Sequence, residues 1–135
     1  MVGSRLLAFI WSACAVGILS GCAFSRNVPE NEWPGTYVAS HSFGTDTLVI
    51  NADHSFTQTV VVGKERVQHT GKWRAEDWRP GIVRIRLDGL FSPDGGVGNL
   101  DQDWRRSVGP ALLGVERIWW QVQISSGATN PYKKQ

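Results

Sequence analysis

The chain has 135 residues, with 14 Lys+Arg against 12 Asp+Glu and a formal net charge of +2. That length suits one domain rather than two, and 41% hydrophobic with 19% charged residues excludes a chain disordered throughout. The near-neutral balance removes the electrostatic basis for nucleic-acid binding, which needs a basic face.

Residues 1–21 have the three-part layout of a secretory signal. Arg5 and the free amine come first, then an uncharged apolar run from Leu6 to Ile18, then small residues before Cys22. The run is shorter than the roughly 20 residues of a spanning helix, which favours a cleaved signal. Leu19-Ser20-Gly21-Cys22 closely resembles the lipobox of bacterial lipoproteins. The resemblance implies a diacylglyceryl group on the Cys22 thiol, cleavage before Cys22, and acylation of the new amine, palmitate being a typical chain. Two or three such chains hold a protein stably on a bilayer. Ala23 stands where an inner-membrane retention signal would place Asp. By the sorting rule of Gram-negative lipoproteins, the implied destination is the cell envelope, at the periplasmic face of the outer membrane. The implied partners are the bilayer and the lipoprotein processing and sorting machinery. Cys14 would leave with the signal and Cys22 would carry lipid, so the folded part keeps no thiol and no disulfide. Packing must stabilise it.

Ala23 to Glu32 is mostly polar, lacks periodicity and contains Pro29, and reads as a tether. The expected division is signal 1–21, lipidated cysteine and tether 22–32, and a β domain over 33–135. From there the apolar residues alternate with period two, the pattern of half-buried strands. Strands are expected at 36–40, 46–51, 55–62, 66–74, 82–88 and 117–124, with a short one at 131–134. Val67, His69, Gly71 and Trp73 share an inward face. So do Val83, Ile85 and Leu87, and then Ile118, Trp120, Val122 and Ile124. Pairing Val62 with Val67 sets Val60 against His69 and Phe56 against Trp73, closing the hairpin through Gly63-Lys64-Glu65-Arg66, with Gly63 at positive φ. The preceding hairpin turns at Asn51-Ala52-Asp53-His54, with His54 in a left-handed position. Residues 104–113 offer one or two helical turns at most, limited by Pro110. The expected fold class is all-β: a single antiparallel meander, either a curled sheet or a barrel.

Trp33-Pro-Gly-Thr-Tyr37, then Asp46 through Phe56, then Gly71-Lys-Trp-Arg74 resemble the small lipocalin-like β-sheet and barrel domains found among bacterial lipoproteins. The similarity covers about residues 33–88. His54 stands where that group usually has glycine. The group shares no activity, so the resemblance implies a fold and no catalytic residues.

Constellations for chemistry are sparse. His41, His54 and His69 lack ligand spacing; they read as two surface histidines and one inward histidine near Gln58 and Val60, so no metal site is assigned. Asp94 to Asp103 is similar to a calcium loop, and Gly95 to Leu100 partly resembles one calcium-binding repeat, but Leu100 stands at a ligand position, leaving a polar loop. No Gly-x-Ser-x-Gly, cysteine nucleophile or rigid carboxylate pair is present, so neither catalytic residues nor a cofactor are expected. Tryptophan is the informative residue, with six after residue 21. Trp73 and Trp120 read as core. Trp119 faces outward beside Arg117, while Trp78 and Trp104 sit in loops with Arg79, Arg105 and Arg106. Exposed Trp and Arg are enriched at binding hot spots. Trp104, Arg105, Arg106 and Trp119 are therefore the candidate partner-binding residues, the alternative being a flap that covers the sheet end. The function expected is a non-catalytic binding module for a hydrophobic ligand or an envelope protein. An envelope enzyme inhibitor, like those that block lysozyme, and a purely structural protein are the alternatives.

Overall fold

The computed structural model describes residues 25–42, 44–91, 108–125 and 130–135. Nine strands run β1 Ser25–Asn27, β2 Gly35–His41, β3 Gly44–Ile50, β4 Ser55–Val62, β5 Glu65–Arg79, β6 Ile82–Phe91, β7 Val108–Ile118, β8 Gln121–Ser125 and β9 Tyr132–Lys134, with one 3-10 turn at Glu30–Glu32. Strands β2 to β9 close into an eight-stranded antiparallel barrel, in the order β7-β6-β5-β4-β3-β2-β9-β8 with β8 returning to β7. Of the two architectures expected, the barrel is the one formed. Closure leaves these strands without a free sheet edge.

The alternation that announced the strands is what fills the barrel. On β3, Leu48 and Ile50 point in and are fully buried; on β4, Phe56 and Val60 do the same, and on β6, Ile85 and Leu87. Outside, Arg74 and Arg86 oppose one another across β5 and β6. Their like charges are compensated by ion pairs to Glu76 and Asp88.

Four expectations need correction. The β4–β5 register is shifted by two residues: Val62 faces Glu65, Val60 faces Val67, Gln58 faces His69 and Phe56 faces Gly71. A two-residue Gly63-Lys64 turn is tighter than the loop expected, with Gly63 at φ 60. A shift of two preserves every face. It also sets Phe56 over the one residue that leaves it room, because a Cβ on Gly71 would lie 2.5 Å from the Phe56 ring and 2.4 Å from the Asp88 carbonyl oxygen.

The expected strand 117–124 is a hairpin instead, with Ile118 paired to Gln121 around a Trp119-Trp120 turn. Trp119 takes φ 58, and Trp120, expected in the core, is 87% exposed. Unbroken apolar alternation without Gly, Pro, Asn or Asp concealed that turn. Helical turns over 104–113 are excluded from Val108 onward, since β7 begins there. Pro110 is tolerated in β7 because the β6–β7 register slips between Leu87 and Leu90, and no ladder partner stands opposite it. Gly89, at φ 95, lies in that bulge.

Finally, the segment expected to be a tether is folded from Ser25 onward. β1 pairs with β7, Ser25 opposite Ile118 and Asn27 opposite Glu116. The chain then crosses to β2, burying Val28 and Trp33 in the main core cluster with Tyr37, Ile50, Phe56, Trp73 and Ile124. Glu32 forms an ion pair with Arg117, and Lys134 Nζ donates to the Glu32 carbonyl at 2.6 Å. Trp33, rather than Trp120, accompanies Trp73 in the core, their ring centroids 5.8 Å apart.

Candidate functional site

The up-and-down topology gives the barrel two chemically distinct ends. At one lie the Asn51–His54, Pro80-Gly81 and Trp119-Trp120 turns and the 28–34 crossing. At the other, β4 turns into β5 at Gly63-Lys64, β6 ends at Phe91, and β7 begins at Val108. The interior near this second end is polar.

Asp46 on β3 and Gln58 on β4 occupy inward positions in the same alternation that buries Leu48, Ile50, Phe56 and Val60, and both are fully buried. Tyr132 of β9 donates its hydroxyl to Asp46 Oδ2 at 2.5 Å. Gln58 Nε2 donates to the same oxygen at 2.9 Å and to the Phe91 carbonyl at 2.8 Å, while Gln58 Oε1 accepts from the Phe91 N–H at 2.8 Å. Gln58 thus bonds both backbone groups of Phe91 as a neighbouring strand would. The cluster ties β3, β4, β6 and β9 together across the interior.

Two histidines flank it. His69, opposite Gln58, sits edge-on to Phe56 with its Nε2 against Gly89, where a Cβ would lie 3.0 Å away. The inward placement expected for His69 beside Gln58 is found. His41 ends β2, half-buried, near enough for its charge to act on Asp46. It was expected on the surface. A small apolar cluster of Val60 and Phe91, with Val62, Val67 and Val108 against it, completes this end.

Burial holds the Asp46 carboxyl above the usual carboxylate range, although the Tyr132 and Gln58 hydrogen bonds and the His41 charge pull the other way. Burial, and then the neighbouring carboxylate, push the Tyr132 hydroxyl upward. Asp46 Oδ2 is saturated, while Oδ1 is buried with no hydrogen-bond partner among the described residues. Such an atom is costly in a low-dielectric interior and is open to one donor. The arrangement leaves one buried acceptor atom beside apolar side chains.

Of the residues singled out in the sequence, Trp119 occupies the β7–β8 turn, 67% exposed, its ring centroid 6.5 Å from that of Trp120. Trp78 lies on β5 rather than in a loop, with the Arg79 and Arg84 guanidinium carbons 4.0 and 3.8 Å from its ring centroid. Cys22, Trp104, Arg105 and Arg106 lie outside the described residues. The 92–107 connection is anchored at Phe91 and Val108, at the end of β7 opposite Trp119, so Trp119 is not grouped with those anchor points. Asp46 and Tyr132 were missed as site residues. Their signal was a polar side chain at a core-facing position, which alternation alone could have flagged for Asp46. No protein family matches the chain, and neither does any curated protein or solved structure.

Proposed function

We propose that this protein is a lipid-anchored lipoprotein of the bacterial envelope, held by acylated Cys22 at the periplasmic face of the outer membrane, whose barrel is a non-catalytic binding module. Asp46 Oδ1, buried and without a hydrogen-bond partner among the described residues, carries the reading. The hydrogen bonds from Tyr132 and Gln58 use only the other oxygen, so the desolvation of Oδ1 is uncompensated until a donor reaches it. The ligand class that this chemistry would recognise is a small amphiphile. Its hydrogen-bond donor meets Asp46, and its apolar part lies against Val60, Val62, Val67, Phe91 and Val108. Binding sites of this kind are apolar with a few well-placed polar groups.

The test is native mass spectrometry of the protein extracted gently from membranes, beside Asp46→Asn. The expected result is lipid mass on Cys22 in both proteins, plus a noncovalent adduct in wild type that the variant loses. Lipid on Cys22 with no adduct in either protein overturns ligand capture and leaves the structural and inhibitor readings. Absence of lipid overturns the anchor.

A further inference from the structure

The first strand bounds how far from the barrel the anchor expected at Cys22 can lie. β1 runs antiparallel to β7 with Ser25 beside Ile118, so the described chain begins next to the Trp119-Trp120 turn. Cys22 is three residues from Ser25, a reach of about 10 Å for extended backbone. The acyl chains implied at Cys22 therefore enter the membrane next to the two most exposed large apolar side chains among the described residues, Trp119 at 67% and Trp120 at 87%.

The neighbouring hairpin tip lies at the same place. The Asn27 side-chain amide donates to the Gly81 carbonyl at 2.9 Å, tying β1 to the β5–β6 turn. That tip exposes Trp78, Ile82 and Val83. Two aromatic and aliphatic tips thus flank the anchoring strand, whereas the Asn51–His54 turn, with charged Asp53, belongs to the other half of the rim. Arg26, Arg79, Arg84 and Arg117 are interleaved there with Glu30, Glu32, Asp77 and Glu116, so no strong field favours anionic over zwitterionic lipid. Tryptophan and arginine together suit the headgroup level of a bilayer, where the indole sits at the boundary and long basic side chains reach the phosphates.

We propose that the β5–β6 and β7–β8 tips form a second membrane contact, with Trp119 and Trp120 inserted at headgroup depth in the leaflet that holds Cys22. This rests on the lipoprotein reading. It orients the barrel with the Asp46 end away from the lipid, and it gives the bilayer, not a protein, as the occupant of the tryptophan surface.

The test uses the full chain produced in a bacterial host, with the mass on Cys22 recorded, reconstituted in phosphatidylcholine vesicles whose acyl chains carry bromine. Wild type is compared with Trp119→Ala/Trp120→Ala, both also probed with aqueous iodide. The expected result is that brominated lipid quenches the wild-type tryptophan emission and the double variant loses at least about half of that quenching. Its melting temperature should stay unchanged, and the wild-type pair should be shielded from iodide. Equal bromolipid quenching in the two lipidated proteins, with iodide still reaching wild type, overturns the contact while leaving the anchor intact. If Cys22 carries no lipid the anchor reading fails by itself. Wild type added to the same vesicles then decides the contact: quenching by bromine supports it, and none overturns it.

Discussion

The two ends of the barrel solve the same closure problem with opposite chemistry. At the Trp33 end, large aromatic side chains fill the interior, and each polar atom they bring in is spent on nearby backbone. Trp33 Nε1 donates to the Val28 carbonyl at 2.8 Å, the Tyr37 hydroxyl to the Trp33 carbonyl at 2.6 Å, and Trp73 Nε1 to the Asn51 carbonyl at 2.8 Å. At the Asp46 end a buried carboxyl, an amide and a phenol hold four strands together, and one carboxylate oxygen is left over. The first end gains stability from area removed from water. The second buries a carboxyl whose desolvation its hydrogen bonds offset only in part.

The comparison breaks most sharply at Trp73. Its ring is buried, stacks on His54 at 4.3 Å between centroids, and leans on Trp33. Trp73→Ala should cost roughly 3–5 kcal/mol through lost transfer energy and the cavity left behind. For a domain of this size that lowers the melting temperature by roughly 10 °C or more. A variant melting within about two degrees of wild type would mean that the aromatic end is not what holds the barrel shut.

Gln58→Ala is the corresponding cut at the polar end. It removes both bonds to Phe91 and the bond to Asp46, worth about 2–4 kcal/mol together. The loss should be smaller than at Trp73, because water can reach groups that a cavity among aromatics would leave dry. Thermal melts of the two variants side by side check the order. A larger loss at Gln58 would make the polar cluster the principal staple of the fold and weaken its reading as a site.

How much of this was legible in the sequence follows the same division. Alternation is a local signal, so β2 to β6 and the turns at His54 and Gly63 could be read from neighbours alone, and His54 does take φ 63. Phe56 and Trp73 could be assigned to one face but not to one register, because sliding by two keeps parity. Only the contact between Phe56 and Gly71 decides it, and that contact is non-local. The Trp119-Trp120 turn was hidden by its composition, and β1 by being three residues long with a partner about ninety positions away. The polar cluster joins Asp46, Gln58, Phe91 and Tyr132. Nothing in the spacing of those four residues makes them neighbours until the barrel closes. Inward parity could name Asp46 and Gln58 as misplaced polar residues, and the fold alone supplies the partners.

The smallest expected effect sharpens the contrast, because each end carries an aspartate shifted in the opposite direction. Asp53, in the turn of the aromatic end, accepts from the Ser55 hydroxyl and N–H, which hold its carboxyl below the ordinary 3.8. A carboxyl lowered by folding contributes stability that is fully present above 3.8 and is lost as pH falls through the lower folded value. Asp46 runs the other way. Burial raises it above 3.8, so between 3.8 and the raised value the folded chain binds more proton than the unfolded one. Stability therefore declines as pH rises across that window, and the full penalty stands above it. Melting curves for Asp46→Asn, Asp53→Asn and wild type between pH 3 and pH 7, taken at about unit steps, read both effects. Asp46→Asn should gain on wild type as pH rises from 3.8 and then run parallel to it. Asp53→Asn should fall below wild type by a constant amount at neutral pH, and the gap should close only under acid conditions. If the Asp46 difference is flat across the whole range, that carboxyl is in contact with water. The polar end would then be an ordinary solvated mouth, without the buried charge that sets it apart from the aromatic one.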